Sequence, residues 1–136
     1  MKKKFICLVG LPGSGKTHYG KQLGYPFLDD LTQCGGLGAL FFLDSPAQFV
    51  LISDFSFIFE DTRNITARTL RENYPDCEIK WVVWENNPDL CWENVQRRND
   101  GRKINKQSLF EISKAYTYPE GVTLRRVFNG NANETE

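Results

Sequence analysis

The chain reads as an α/β protein of a single domain, built on a mostly parallel sheet of four to five strands flanked by helices. Three observations point there. Short apolar, β-rich segments alternate along the chain with polar segments of helical spacing. Most of the apolar segments are continuous runs, such as Val50-Leu51-Ile52 and Trp81-Val82-Val83-Trp84, as expected of strands covered on both faces. A glycine-rich segment separates the first apolar run from the first helical one, in strand-loop-helix order.

Taken in order, the first strand spans residues 4–9, where Phe5-Ile6-Cys7-Leu8-Val9 carries no polar side chain. A helix follows over 15–23, and a shorter strand fits 25–28. Residues 30–47 mix a glycine cluster with an apolar run, CGGLGALFFLDSP, and fit either a short helix or a substrate loop. A second long strand is expected at 48–53 and a helix at 62–73. The strand 79–84 leads into a helix over 88–98, with Asn87 as its cap and Pro88 at the first helical position, where a missing N–H is harmless. A helix over 106–116 and a strand over 122–128 complete the domain, which occupies residues 1–128. The tail 129–136, NGNANETE, has no apolar residue larger than alanine and reads as disordered. In such a sheet the ligand lies beyond the carboxyl ends of the strands.

A length of 136 residues suits one core and one site. With 17 basic and 17 acidic side chains the formal charge is zero, so no global field draws the protein to nucleic acid or an anionic membrane. Cys7, Cys34, Cys77 and Cys91 form no CxxC pair and have only His18 as an imidazole companion, which argues against zinc and for free thiols in a reducing compartment. Lys2, Lys3 and Lys4 precede an apolar run too short for a signal peptide or a membrane span, leaving the cytoplasm as the expected location.

Residues 10–17 read GLPGSGKT, a complete match to the phosphate-binding pattern GxxxxGK[ST]. Gly10, Gly13 and Gly15 lack Cβ atoms, so successive N–H groups can turn inward on phosphate oxygens, with Leu11, Pro12 and Ser14 completing the turn. The following helix directs its positive end at the same point. Lys16 is then expected to reach the β- and γ-phosphates, and Thr17 to offer its hydroxyl to Mg²⁺, a cation that takes few protein ligands.

Other residues fall at the same sheet edge. Asp54 ends the run Phe49-Val50-Leu51-Ile52-Ser53, where an acid can hold Mg²⁺ or its water shell, or simply cap a turn. Asp29 and Asp30 follow the short strand and read either as a solvated acid pair on a surface turn or, since period-two alternation lets only one face the cleft, as a source of one proton acceptor, with Asp29 the first choice. The segment Arg97-Arg98-Asn99-Asp100-Gly101-Arg102-Lys103 ends a helix with four cations, placed either to close over a triphosphate or to complement the helix dipole. Arg102, beyond the helix, is its preferred catalytic member. Phe55, Phe57 and Phe59 alternate as strand residues would and fit the core better than a base-stacking platform. Trp81, Trp84 and Trp92 also read as core, and His18 as a first-turn helix residue without a catalytic role.

GLPGSGKT, the acid pair Asp29-Asp30, the strand VLISD ending at Asp54 and the RRNDGRK segment together resemble, in the same order over residues 4–118, the kinase domain of phage-type 5′-polynucleotide kinases. The resemblance implies a P-loop kinase fold, ATP and Mg²⁺ as cofactors, and transfer of the γ-phosphoryl group to a 5′-hydroxyl. It implies Asp29 as general base, with Arg98 and Arg102 on the donor phosphates. The chain differs from that family where an arginine follows the base by three residues: Thr32 stands there, or Gln33 if Asp30 is the base. The segment before the Asp54 strand is also shorter. The acceptor is expected to be a nucleic-acid end or a nucleotide-like group; the rival reading is a small-molecule kinase for a nucleoside, nucleotide or sugar, with Arg63 and Arg68 as acceptor contacts. A non-catalytic NTP-binding regulatory module is the reading from another class.

Overall fold

The computed structural model describes residues 2–29, 47–98 and 104–127. The chain runs β1 (Lys4–Val9), α1 (Lys16–Leu23), β2 (Phe27–Asp29), β3 (Phe49–Ser53), α2 (Glu60–Asn73), β4 (Glu78–Trp84), α3 (Pro88–Arg98), α4 (Lys106–Lys114) and β5 (Leu124–Arg125). All five strands are parallel and lie in the order β2-β3-β1-β4-β5. The order reverses at β1. The connection through α1 carries the chain to one side of it, and the connection through α2 brings it back across to the other. Right-handed crossovers in opposite directions must occupy opposite faces, so α1 and α2 lie on different sides of the sheet.

The residue parity of β1 shows this directly. Phe5, Cys7 and Val9 pack in one layer with Leu70 of α2, Cys91 of α3 and Leu109 of α4. Ile6 and Leu8 pack in the other with Leu51, Val82, Trp84 and, from α1, Tyr19 and Leu23. A strand buried on both faces has no solvent side for a polar residue, and this is why its sequence is a continuous apolar run. β4 is buried only toward its end, at Val82, Val83 and Trp84, since β5 pairs with Val83 and Trp84 alone.

Several elements differ from the sequence expectation. The strand expected over 25–28 begins at Phe27, and Asp29 is its last member, paired with Ser53. Pro26 cannot donate, but its carbonyl accepts from Leu51 N–H at 2.8 Å and leads the chain into the ladder. The strand expected over 122–128 contracts to Leu124–Arg125 at the edge, where the Arg125 guanidinium lies 4.4 Å from the Tyr19 ring centroid and 5.5 Å from that of Trp84. The alternating phenylalanines form no strand. Residues Phe55–Ile58 are a 3-10 helix capped by Asp54, so Phe57 is in the core, Phe59 packs against it and Phe55 is exposed. Asn87 caps α3 as anticipated, accepting from Leu90 N–H at 3.2 Å. The uncertain segment 30–46, including Cys34, and the tail 129–136 lie outside the described residues, and no helix among those described is long and apolar enough to cross a membrane.

Arg63 of α2 is buried and serves the fold. Its Nη1 donates to the carbonyls of Phe57 at 2.8 Å and Thr117 at 3.1 Å, and its Nη2 to Thr117 Oγ1 at 3.2 Å. It therefore ties the 3-10 helix to the segment after α4 and is not available as an acceptor contact. Burial lowers its pKa, with Glu60 and Tyr116 acting in the opposite direction. Arg63→Leu would leave the buried Phe57 carbonyl without its donor and release the Thr117 segment, and should cost roughly 1–3 kcal/mol in urea unfolding; an unchanged midpoint would contradict the structural role.

Three weak acids also lie in this layer: the buried thiols of Cys7 and Cys91 and the half-buried Tyr116. Burial pushes all three pKa values up, that of Cys91 from 9.0 to about 12. Above about pH 9 the unfolded chain releases its thiol protons while the folded chain retains them, so the native state loses stability as pH rises. The thermal midpoint should fall progressively between about pH 9 and pH 11, and a flat profile over that window would refute the burial of these groups.

Candidate functional site

The loop Gly10–Thr17 leaves the end of β1, the central strand, and passes directly into α1. Its first half is a β-turn of the type II pattern: Pro12 occupies the second position, Gly13 the third with φ +87°, and Ser14 N–H closes on the Leu11 carbonyl at 3.1 Å. Pro12 presets the backbone for this turn, and Gly13 adopts the left-handed conformation that a side chain resists. Gly15 is the N-cap of α1, also left-handed at φ 102°. Lys16 opens the helix largely buried, and its Nζ donates to the Gly10 carbonyl at 2.7 Å, so the ammonium is held within the turn of the loop. Ser14 is fully buried, and its Oγ has no hydrogen-bond partner among the described residues.

The loop is seated on α3. A Cβ on Gly13 would stand 2.3 Å from the Cys91 carbonyl oxygen and 3.0 Å from Val95 Cγ2. One turn along the same helix, Asn94 is buried and donates from Nδ2 to the Gly13 carbonyl at 2.9 Å. Its Oδ1 accepts from Arg97 Nη1 at 2.7 Å. Beneath the loop, the Tyr116 hydroxyl lies 2.6 Å from the Trp84 carbonyl and 3.2 Å from the Val9 carbonyl, joining the ends of β4 and β1.

Strand register brings the acidic candidates to the same edge. Leu8 of β1 pairs with Ser53, which places Asp54 beside the last residue of β1. Asp54 is buried and acts as the cap that its sequence position also allowed: Oδ1 accepts from Ser56 N–H at 2.9 Å and Ser56 Oγ at 2.6 Å. Asp29 pairs with Ser53 and so ends β2 two strands from β1, about 10 Å across the sheet. The backbone of Arg98 ends α3 on the stripe of Cys91, Asn94 and Val95. The side chains of Asp29 and Arg98, and the whole of Asp30 and Arg102, lie outside the described residues. Arg68 is exposed eight residues into the fourteen-residue α2, about 12 Å of helix from the edge where α2 begins. His18 is exposed in the first turn of α1.

The sequence locates the loop, Ser14 included, but not its seat: Asn94, at the helical spacing of Cys91 and Val95, is a polar residue on an apolar stripe, and Arg97 reads there only as one cation of the basic segment 97–103. The site as built offers an ammonium, hydroxyls and the amino end of a helix around a loop of short radius, a donor set suited to an anion with several oxygens. Among the described residues no three His, Cys, Asp or Glu side chains converge on a common point.

Gly13→Ala would combine a strained left-handed alanine with a collision against backbone, which cannot swing aside as a side-chain tip can. It should destabilise the protein by roughly 1–3 kcal/mol or more in urea unfolding, and a neutral effect would mean that the loop is not held against α3.

No protein-family model matches the chain. It is similar to an uncharacterized protein, R277, of Acanthamoeba polyphaga mimivirus, 27% identical over 121 residues that cover 85% of this chain and 88% of the viral one.

Proposed function

We propose that the chain is an ATP- and Mg²⁺-dependent phosphotransferase of the P-loop kinase class, acting on a hydroxyl acceptor, in the first instance a polynucleotide 5′-hydroxyl. One observation carries this reading: the GLPGSGKT loop stands at the carboxyl end of the central strand and the head of α1, with two left-handed glycines, an enclosed lysine and a buried serine hydroxyl that has no partner among the described residues. An orphaned buried hydroxyl beside an ammonium is what a loop shaped around bound oxygens would contain. Mg²⁺ is bound through few protein ligands, so Thr17 with Asp54 suffices, and the convergence of three acidic or imidazole groups is not required.

ATP supplies the transferable phosphoryl group, and the metal offsets the charge on its phosphates. Around it Lys16 and the loop orient the donor, and the resemblance to polynucleotide kinases assigns Arg98 and Arg102 to the same phosphates. Asp29 takes the proton of the acceptor hydroxyl as its oxygen bonds to the γ-phosphorus and the bond to the β-phosphate oxygen breaks, releasing ADP. Its position at the end of β2, two strands from the loop, leaves the width of β3 for the acceptor. A small nucleotide-like acceptor is the second reading, favoured by Thr32 or Gln33 in place of an arginine and by a net charge of zero, since a polynucleotide groove draws affinity from a basic stripe.

The deciding assay incubates the protein with γ-labelled ATP and Mg²⁺ against 5′-hydroxyl DNA and RNA oligonucleotides, nucleosides and nucleotides. Label is expected on an oligonucleotide end, with Lys16→Ala slower by roughly 10²-fold or more. Label confined to a small acceptor would select the second reading. Bound ATP without transfer would leave a regulatory module, and full activity in Lys16→Ala would overturn the mechanism.

A further inference from the structure

We infer that Asn94 is a positioning residue that holds the phosphate loop in its binding shape through the Gly13 carbonyl, and that Arg97 sets the orientation of the Asn94 amide. The inference rests on the phosphotransferase reading for its consequence and on the geometry alone for its mechanism. The carbonyl of Gly13 and the N–H of Ser14 belong to one planar trans peptide and point in opposite directions. Both ends are held. The N–H donates to Leu11 within the turn, and the carbonyl accepts from Asn94 on a different element, α3. Without the second bond the peptide is fastened only within its own turn, and nothing but packing resists its rotation.

The chemistry at position 94 is specific. Gly13 presents an acceptor and Arg97 presents a donor, so the buried side chain between them must donate at one end and accept at the other. An amide of asparagine length does both in one orientation. Aspartate has nearly the same shape and would still accept from Arg97, but it would set a carboxylate against the Gly13 carbonyl. Arg97 in turn makes the flipped amide unfavourable, since that rotamer would face its guanidinium with another donor. The loop is thus kept in shape from outside by the helix that leads toward the basic segment, and its affinity scales with the fraction of time that shape is populated.

Asn94→Asp separates this role from general stability. Amide exchange in the intact protein, followed by NMR, should accelerate at Ser14 by roughly tenfold, the effect of leaving one buried acceptor unsatisfied, while Ile6 and Leu51 in the sheet keep their protection. In parallel, the dissociation constants of Mg-ATP and of Mg-tripolyphosphate, a probe with phosphates and no base, should rise by a common factor of about ten. Arg97→Leu should produce a smaller change of the same kind and Arg97→Lys should restore most of it. Unchanged exchange at Ser14 in Asn94→Asp overturns the anchoring role, whatever the protein binds. A wild-type protein that binds neither probe overturns the proposed function, while the exchange data still judge Asn94. Arg97→Leu indistinguishable from wild type in both measurements refutes the part assigned to Arg97.

Discussion

Much of this structure depends on one close approach, the α-carbon of Gly13 against the carbonyl of Cys91. No side chain fits between them, so the loop after β1 can lie on α3 only if the third residue of its turn is glycine. That contact brings the Asn94 amide within 2.9 Å of the loop and sets the height of α3 over the end of the sheet. It also encloses Lys16 and Ser14, because a loop pressed on a helix has only one open side. The buried setting of Lys16 and Ser14 is therefore a product of packing between elements, and the glycines permit it without producing it.

The parallel sheet beneath supplies the second requirement, which is rigidity at the loop's root. β1 is hydrogen-bonded to β3 and β4 and covered on both faces, the position in a sheet with the least freedom to move. Tyr116 adds a hydroxyl between the terminal carbonyls of β1 and β4, nearer to that of Trp84. Arg63 gives the facing side the same treatment by joining the 3-10 helix after β3 to the segment after α4. Tyr116 reaches Val9 and Trp84, and Arg63 reaches Thr117, so the carboxyl edge of the sheet is cross-braced by contacts of long sequence separation. The two described ion pairs, Lys2 with Glu78 and Glu111 with Lys114, are solvent-exposed and contribute little by comparison.

Asp54 illustrates how one residue can satisfy two descriptions. Its Oδ1 caps the 3-10 helix through Ser56, which is a sufficient structural reason for an aspartate there. The same cap fixes the carboxylate's orientation at the edge where the loop begins, since a side chain with two bonds to one serine cannot rotate freely. Beside the proposed phosphate site, a constrained acid would be a better metal-shell ligand than a mobile one. Fold maintenance and the proposed role are compatible at this position, in contrast to Arg63, whose buried guanidinium is spent on Phe57 and Thr117.

The sequence by itself determined the class of fold, the loop and most element positions. Continuous apolar runs mark strands buried on both faces, GxxxxGK[ST] constrains a backbone turn locally, and Asn87-Pro88 begins a helix through interactions within four residues. Tertiary structure decided what local chemistry leaves open. Phe55, Phe57 and Phe59 have strand spacing, but the Asp54 cap turns them into a 3-10 helix. The edge strand stops at Arg125 because its partner Trp84 is the last residue of β4, which leaves Arg126 and Val127 no strand to pair with. Arg63 and Arg97 look alike in sequence, and only packing sends one into the core and the other to Asn94. The seat of the loop was illegible for the same reason: Gly13 and Asn94 are 81 residues apart, and their hydrogen bond exists only because the sheet order places α3 beside the end of β1.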